Sequence, residues 1–256
     1  MERCRPDHSG RGDVSPHVVP GRYIHEVAIE STGSSLRWLR DVLAEGQAQA
    51  DGRAGTVQPA GFDELIASAA DVACGADGLL CFPFLDGAAR APRYAAGARA
   101  AYLGMASGHT RAHLVRAMLE GIAFQYRATM SILAGPGAQD RAGEPLGIGD
   151  GEARSPMWTQ LKADVLGVPL RVPRIADLAA TGAAILAGIA SGVFASAAAG
   201  VARLVRWDRQ YDPDPRRSAA YAQLSAEYER AYHAVAQTFL QDPVAGGSEI
   251  TKRGEP

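Results

Sequence analysis

Lysine is scarce in this chain, and neither sign of charge is in clear excess. Only Lys162 and Lys252 are lysines among 256 residues, although lysine and arginine together number 26. The 28 aspartate and glutamate residues leave a formal net charge of −2. Such a balance gives no extended basic surface. We therefore expect neither nucleic acid nor an anionic membrane as a partner.

Cysteine is scarce too, and long apolar runs are missing. The three cysteines, Cys4, Cys74 and Cys81, match neither a redox CxxC nor a zinc motif, so small buried or free thiols are expected. No stretch approaches the roughly 18 consecutive apolar residues of a membrane span, and the first residues lack the apolar centre of a signal peptide. These patterns predict a cytoplasmic protein without a membrane segment.

Predicted strands and helices alternate along the chain, which indicates an α/β domain. Strands are predicted at residues 22–29, 79–84 and 168–172, and a loop at residues 45–60. Helices are predicted from Leu36, from Phe62, after Thr110, from Ser155 to Gly167, at 179–189 and after Pro215. Residues 1–17 and 243–256 lack periodicity and are predicted to be disordered tails around a single domain at 18–242.

Two predicted helix starts have the character of anion sites. Residues 147–151 form a glycine turn before a helix capped by Ser155, but they fit neither GxGxxG nor a P-loop. Residues 31–35 are small, and Arg37 follows one turn into the next helix. A helix N-terminus favours negative charge, so both starts are candidates for a phosphate or another polar ligand. The alternatives are a plain glycine-rich turn and an ordinary cap followed by a solvated arginine.

The other residues with ionisable or nucleophilic side chains match no known catalytic motif. His109 and His113 are four residues apart, but the pattern lacks the glutamate of HExxH and a third ligand, which favours a capping or surface role. Glu120 is expected on a helix surface without an acidic partner. No serine lies in a GxSxG motif. We therefore predict no catalytic residue and no metal ligand in this chain.

Taken together and in order, several segments between about Val19 and Ala236 resemble the C-terminal domain of the FGGY carbohydrate kinases, with the xylulose kinases the most similar type. They include Ser-Thr-Gly-Ser-Ser before a helix and Gly-Glu-Ala-Arg-Ser-Pro-Met-Trp before another. The segments are residues 19–23, 31–41, 78–87, 90–92, 108–114, 119–124, 151–158, 162–167 and 180–188.

The resemblance implies an actin-like ATPase (ribonuclease H-like) fold, a mixed sheet flanked by helices. It also implies transfer of the ATP γ-phosphoryl group to a sugar hydroxyl, with Mg²⁺. By this resemblance, Gly151 and Glu152 would offer backbone near the adenosine, Ser155 would face the adenine, and Gly33 and Arg37 would lie beside the phosphates and ribose. In the family the aspartate base and the sugar pocket belong to an N-terminal domain that matches no residue here.

The sequence departs from the family in two of these segments. The usual Gly-Glu-Arg-Ala-Pro reads Gly-Ala-Ala-Arg-Ala-Pro from Gly87, and Asp150 replaces a glycine of the turn. The chain is therefore interpreted as an ATP-binding domain that is inactive alone and acts on a sugar or polyol only if completed by a partner. The rival functions are a nucleotide-binding module, which acts as a sensor or as half of a split kinase, and a non-functional remnant. The candidate protein partners are a second protein and another copy of the chain in a homodimer.

Overall fold

The computed structural model describes residues 12–30, 32–50, 59, 61–90, 92–93, 95–134, 144–175 and 177–240. Within these residues there are seven α-helices and seven β-strands. The helices are α1 Gly33–Ala50, α2 Phe62–Ala67, α3 Arg111–Ala134, α4 Pro156–Leu166, α5 Leu178–Ala190, α6 Ala197–Leu204 and α7 Pro215–Leu240. The strands are β1 Asp13–Pro16, β2 Tyr23–Glu26, β3 Leu80–Phe82, β4 Ala101–Leu103, β5 Leu146–Gly147, β6 Leu170–Pro173 and β7 Trp207–Tyr211.

The described strands form three small sheets. β1 and β2 pair antiparallel, as do β3 and β4. The third sheet has the order β5-β6-β7, in which β5 runs parallel to β6 and β7 runs antiparallel to it. The mixed sheet and the surrounding helices confirm the predicted α/β class.

Helix α3 lies at the centre of the core. All residues from Val115 to Gln125 are buried, and the helix packs against β3, α4 and α1. Gly121 permits the close approach of β3, because a Cβ atom at this position would lie 2.2 Å from the carbonyl oxygen of Cys81. Tyr221 and Tyr228 of α7 complete the core, and both side chains are fully buried. The predicted apolar face of the last helix is confirmed at these positions.

Glu120 is buried, so its predicted position on a helix surface is wrong. Its carboxylate accepts hydrogen bonds from Arg116 Nε at 2.8 Å, the Tyr221 hydroxyl at 2.8 Å and the Gly75 backbone N–H at 3.0 Å. Gly75 opens a turn in which residues 75–78 all have positive φ. A single buried carboxylate therefore ties α3 to α7 and to this left-handed turn, and its charge is balanced by Arg116.

The predicted ends of α4 are confirmed. Ser155 is the N-cap, Pro156 is the first helical residue, and Gly167 ends the helix at φ 70° in the left-handed region. Proline suits the first position because it has no N–H to satisfy, and glycine adopts positive φ without a Cβ penalty.

Two predicted irregular segments are wrong in part. Residues 13–16 of the predicted tail form β1, which is paired with β2 through Val14 and His25 among others. Residues 45–50 of the predicted loop continue α1. Cross-strand pairing and helix continuation override the weak local pattern here. The rest of the predicted tails, 1–11 and 243–256, lies outside the described residues.

The search for membrane-crossing helices found none among the described residues.

Candidate functional site

The start of α1 is exposed to solvent, and the residues that follow it anchor the helix in the core. Ser35 is fully buried and its hydroxyl donates to the carbonyl oxygen of Pro83 at 2.9 Å. Leu36 and Leu39 anchor the same helix in the core. Gly33 is exposed, and a Cβ atom built on it would meet no heavy atom within 4 Å. The first backbone N–H groups of a helix lack intrahelical acceptors, so this start can receive an anion.

Arg37 lies one turn into α1 with an exposed side chain. Its neighbour Arg40 is engaged, since its guanidinium lies 2.7 Å from Asp41 Oδ1 and 4.7 Å from the Phe62 ring centroid. Arg37 has no such ion pair within the described part of the chain. A guanidinium beside an exposed helix start is a favourable arrangement for a phosphate group.

The second candidate helix start follows β5. At Gly149 the backbone passes close to a side chain of α5. Gly149 is extended, at φ −140° and ψ −170°. A Cβ atom there would lie 2.3 Å from Leu178 Cδ1 at the start of α5, so a larger residue would have to displace this leucine side chain. The chain then makes a short 3-10 turn at Asp150–Ala153, in which Gly151 is exposed and open to solvent. The side chains of Asp150 and Glu152 lie outside the described residues.

Ser155 follows the Asp150–Ala153 turn and is the N-cap of α4. Its side chain is buried, and its Oγ accepts a hydrogen bond from the Trp158 backbone N–H at 3.3 Å. Its carbonyl oxygen accepts the hydroxyl of Thr159 at 2.9 Å. The hydroxyl is thus used as a helix cap, and its contact with an adenine stays a prediction.

The two predicted helix starts sit on different parts of the fold. α1 packs mainly against α3, whereas the Asp150–Ala153 turn packs against α4. Both α1 and α4 pack on α3, which is therefore the common support of Gly33, Arg37, Gly151 and Ser155. Among the described residues no hydrogen bond or ion pair joins α1 to this turn, so a shared ligand would have to span them.

The loop after Gly87, where the sequence departs from the family pattern, is closed by its own hydrogen bonds. Ala88 and Ala95 form an antiparallel bridge, with N–H to oxygen distances of 3.1 and 2.6 Å. The carboxylate of Glu30 accepts the Ala89 N–H at 2.7 Å. A carboxylate from a distant segment therefore contacts this loop, in which the family glutamate is missing.

Arg93 is a residue of this loop that sequence reasoning missed. Its guanidinium makes two hydrogen bonds to Glu229 of α7, at 2.6 and 2.7 Å, and lies 4.2 Å from the Tyr232 ring centroid. Burial disfavours the charged guanidinium, but the hydrogen-bonded Glu229 carboxylate raises the pKa of Arg93 above its ordinary value. Arg93 therefore stays charged and fixes the loop to α7. The partners are 136 residues apart, so no local pattern pointed to the pair.

The histidine pair acts as a cap, as predicted. His113 Nδ1 accepts the Thr110 backbone N–H at 3.1 Å, and its Nε2 lies 3.0 Å from Asp77 Oδ2. His109 Nδ1 likewise accepts the Ala106 N–H at 2.9 Å. A search for groups of three or more metal-binding side chains found none in the described part of the chain.

The two described cysteines are free thiols. Burial raises the pKa of the Cys81 thiol to about 12, although a hydrogen bond with Tyr102 opposes this shift. Cys81 is therefore a packing residue rather than a nucleophile.

Sequence comparison identifies the relatives of this chain. Residues 2–191 match the model of the FGGY family of carbohydrate kinases, C-terminal domain. A xylulose kinase of Staphylococcus epidermidis is 29% identical over 84% of this chain, which covers 40% of that protein. A glycerol kinase of Dechloromonas aromatica is 35% identical over 82% of this chain and 39% of its own length. The chain thus spans about 40% of the length of these curated relatives.

Solved structures share the fold. The xylulose kinase of Rhodospirillum rubrum is 32% identical, with a TM-score of 0.72 over 90% of this chain and 43% of its own. The ligand-bound xylulose kinase of Lactobacillus acidophilus has a TM-score of 0.77 at 22% identity, over 93% of this chain and 45% of its own. A Plasmodium falciparum glycerol kinase solved with ADP has a TM-score of 0.64 at 24% identity, over 83% of this chain and 38% of its own.

Proposed function

The chain belongs to the FGGY family of carbohydrate kinases and corresponds to its C-terminal domain, and we propose that it supplies the nucleotide-binding part of an ATP-dependent sugar kinase. Its fold is that of the actin-like ATPases. The observation that carries the proposal is the exposed start of α1, where Gly33 leaves open space and Arg37 projects an uncompensated guanidinium within the described residues.

Each candidate residue has a distinct task in this proposal. The backbone N–H groups at Gly33 and the guanidinium of Arg37 bind phosphate oxygens, because both present positive charge to solvent. The backbone of Gly151 and Glu152 lies along the adenosine, where the absence of a Cβ at Gly151 permits close approach. Ser155 holds the turn in place by capping α4.

Mg²⁺ enters this proposal as part of the MgATP substrate. Protein-bound Mg²⁺ is usually held by one or two carboxylates together with substrate phosphates. The described residues include no metal-binding cluster, so we assign no ligand and no reaction step to the ion.

Phosphoryl transfer also needs a group that accepts the hydroxyl proton of the sugar. None of the buried acidic groups described is available for this, since Glu120 and Asp164 both carry hydrogen-bonded arginine partners. We propose that the chain binds nucleotide but does not phosphorylate a sugar such as xylulose by itself.

A nucleotide-binding module completed by a partner is the second candidate, favoured by the surface of α5. This helix contains no charged residue, yet only Thr181 and Ile185 are buried, and Leu186 is 39% exposed. An α-helix that is apolar on all sides is normally covered by protein. The partner in this case is a further domain or a second copy of the chain.

Calorimetric titration with MgATP and MgADP, paired with an ADP-release assay over pentoses and polyols, tests the proposal. We expect binding of both nucleotides without sugar-dependent ADP release. Arg37→Gln should weaken binding about tenfold, as expected for loss of one charge-assisted contact of about 1.5 kcal/mol. Arg230→Gln, at an exposed position of α7, is the matched control and should bind as the parent chain does.

Three other results would change the conclusion. Sugar-dependent turnover would show that the chain contains a proton acceptor. Equal weakening by both variants would remove Arg37 from the site. A folded chain that binds neither nucleotide would favour a non-functional remnant.

A further inference from the structure

A single carboxylate joins the loop after Gly87 to the segment that enters α1. Glu30 Oε2 accepts the backbone N–H of Ala89 at 2.7 Å. Its other oxygen, Oε1, lies 3.8 Å from Arg90 Nε. Along the chain, Glu30 shortly precedes Gly33, the first residue of α1. The contact therefore links the candidate phosphate site to a residue 59 positions further along the chain.

The loop that Glu30 contacts is itself held in place, so it can support the helix start. An antiparallel bridge between Ala88 and Ala95 closes it. Arg93 attaches it to α7 through two hydrogen bonds to Glu229, and only 5% of the Arg93 side chain is exposed. Arg93 Nε also donates to Gln125 Oε1 of α3 at 2.9 Å. The loop is thus fixed relative to α3 and α7.

A second contact holds the start of α1 from the inside. The hydroxyl of the buried Ser35 donates to the carbonyl oxygen of Pro83 at 2.9 Å. Gly33 and Ser34 lie between Glu30 and Ser35 in the sequence, and both are exposed. Their backbone N–H groups belong to the first turn of the helix and lack intrahelical acceptors. The two contacts therefore flank the N–H groups that can receive an anion.

We propose that Glu30 is a positioning residue for the nucleotide phosphates. By holding the Ala89 N–H, it fixes the direction in which the chain enters α1, and with it the N–H groups of Gly33 and Ser34. Donors that are already oriented bind an anion more tightly, since less conformational entropy is lost on binding. The inference rests on the proposed function, because it concerns the phosphate-binding end of the same site.

The charge of Glu30 acts in the opposite direction. Three residues span at most about 10 Å, so this carboxylate lies close to Gly33 and repels a phosphate bound there. The ion pair with Arg90 is long and partly exposed, and it compensates this repulsion only weakly. Removal of the charge should therefore strengthen nucleotide binding, whereas loss of the contact to Ala89 should weaken it.

Two substitutions at Glu30 separate these effects. Glu30→Gln keeps an oxygen that accepts the Ala89 N–H but removes the charge, whereas Glu30→Ala removes both. In calorimetric titration of the full chain with MgADP, we expect Glu30→Ala to bind about fivefold more weakly, as for loss of one hydrogen bond. Glu30→Gln should bind at least as tightly as the parent chain. Glu227→Ala, which removes a negative charge at an exposed position of α7, is the matched control and should bind as the parent does.

Ala89→Pro tests the other partner of the contact, because proline removes the donated N–H. Ala88 is extended in its bridge with Ala95, a conformation that suits the residue before a proline. We expect the same weakening as in Glu30→Ala. The double variant should bind no more weakly than either single variant, since both changes remove one contact. Additive losses would contradict a shared role of the two residues.

A measurement without nucleotide examines the helix start directly. The 15N order parameters of the Gly33 and Ser34 amides should fall in Glu30→Ala and stay unchanged in Glu30→Gln. Unchanged values in Glu30→Ala overturn the proposal. So does tighter binding of MgADP by both Glu30 variants, which would leave only the effect of charge, or equal binding by both variants and the parent.

Failure of the proposed function gives a different result. In that case the parent chain itself binds no MgADP, whereas failure of this inference alone leaves parent binding intact and Glu30→Ala equal to it or tighter. The order parameters then still decide whether Glu30 fixes the start of α1.

Discussion

Ser155 shows how a single side chain determines the geometry of a candidate ligand loop. Its Oγ caps α4, and its carbonyl oxygen accepts bonds from the backbone and hydroxyl of Thr159. The residue stands between the exposed turn that contains Gly151 and the buried helix that carries Trp158. Loss of the cap should therefore affect stability before it affects any ligand contact.

Ser155→Ala should lower the free energy of unfolding by about 1 kcal/mol, the usual cost of removing a helix N-cap. Ser155→Asp keeps an acceptor for the Trp158 N–H and should retain most of the stability. Denaturant titration followed by circular dichroism measures the difference. An alanine variant as stable as the parent would mean that the cap contributes nothing here.

Asp214 is a second cap, and it should make stability depend on pH. Hydrogen bonds from the backbone N–H groups of Arg217 and Arg216, together with their positive charges, hold the pKa of the Asp214 carboxyl below its ordinary value. A carboxyl with a lowered folded-state pKa stabilises the fold above its unfolded pKa of about 3.9. This contribution is lost as the pH falls through the folded-state pKa.

Asp214→Asn keeps the cap acceptor but removes the titration. We expect thermal unfolding of the variant to change less than that of the parent between about pH 5 and pH 3. Parallel curves for the two proteins over this range would contradict the prediction.

At the scale of elements, helix ends with strong local signals were predictable. The Ser-Pro start and glycine end of α4 and the start of α7 at Pro215 each follow from the backbone preferences of one or two residues. β1 was not predicted, because a four-residue strand is stabilised mainly by its partner β2. α6 and β7 also lacked a prediction, although the Ser196 side chain caps α6.

Residues of the candidate site were predictable only where their role depends on residues adjacent in the sequence. Gly33, Arg37 and Ser155 lie at the helix starts that the sequence indicated. Arg93 and Glu120 were missed or misplaced because their partners lie far along the chain, at Glu229 and Tyr221. Long-range pairs of this kind depend on the folded arrangement of α3 and α7, which periodicity alone does not specify.

Two helix glycines offer a matched test of the packing between α3 and β3. Gly121→Ala would place a Cβ atom 2.2 Å from the Cys81 carbonyl oxygen, whereas Gly46→Ala in α1 would meet no heavy atom within 4 Å. We expect Gly46→Ala to stabilise the chain by up to about 1 kcal/mol through helix propensity. Gly121→Ala should destabilise it by about 1–3 kcal/mol, because backbone must move to relieve the overlap. Denaturant midpoints measure both changes, and stabilisation of both variants would contradict the close approach of α3 to β3.

At the scale of the whole molecule, α3 connects the two candidate helix starts. α1 and α4 both pack on this helix, whose central residues are all buried. A ligand that contacts both starts therefore requires the packed core and has no binding site in the unfolded chain. Nucleotide binding and global unfolding should consequently be linked.

MgADP at about 100 times its dissociation constant should raise the free energy of unfolding by about 2.7 kcal/mol. For Arg37→Gln, a tenfold weaker affinity at the same MgADP concentration should reduce that gain to about 1.4 kcal/mol. Arg230→Gln should keep the full gain, because its exposed side chain lies on α7 and belongs to neither helix start. Thermal and denaturant unfolding with and without MgADP provide the measurement. A gain of equal size in the parent and Arg37→Gln would show that the nucleotide binds without the start of α1, and the site would then have to be sought around Gly151 alone.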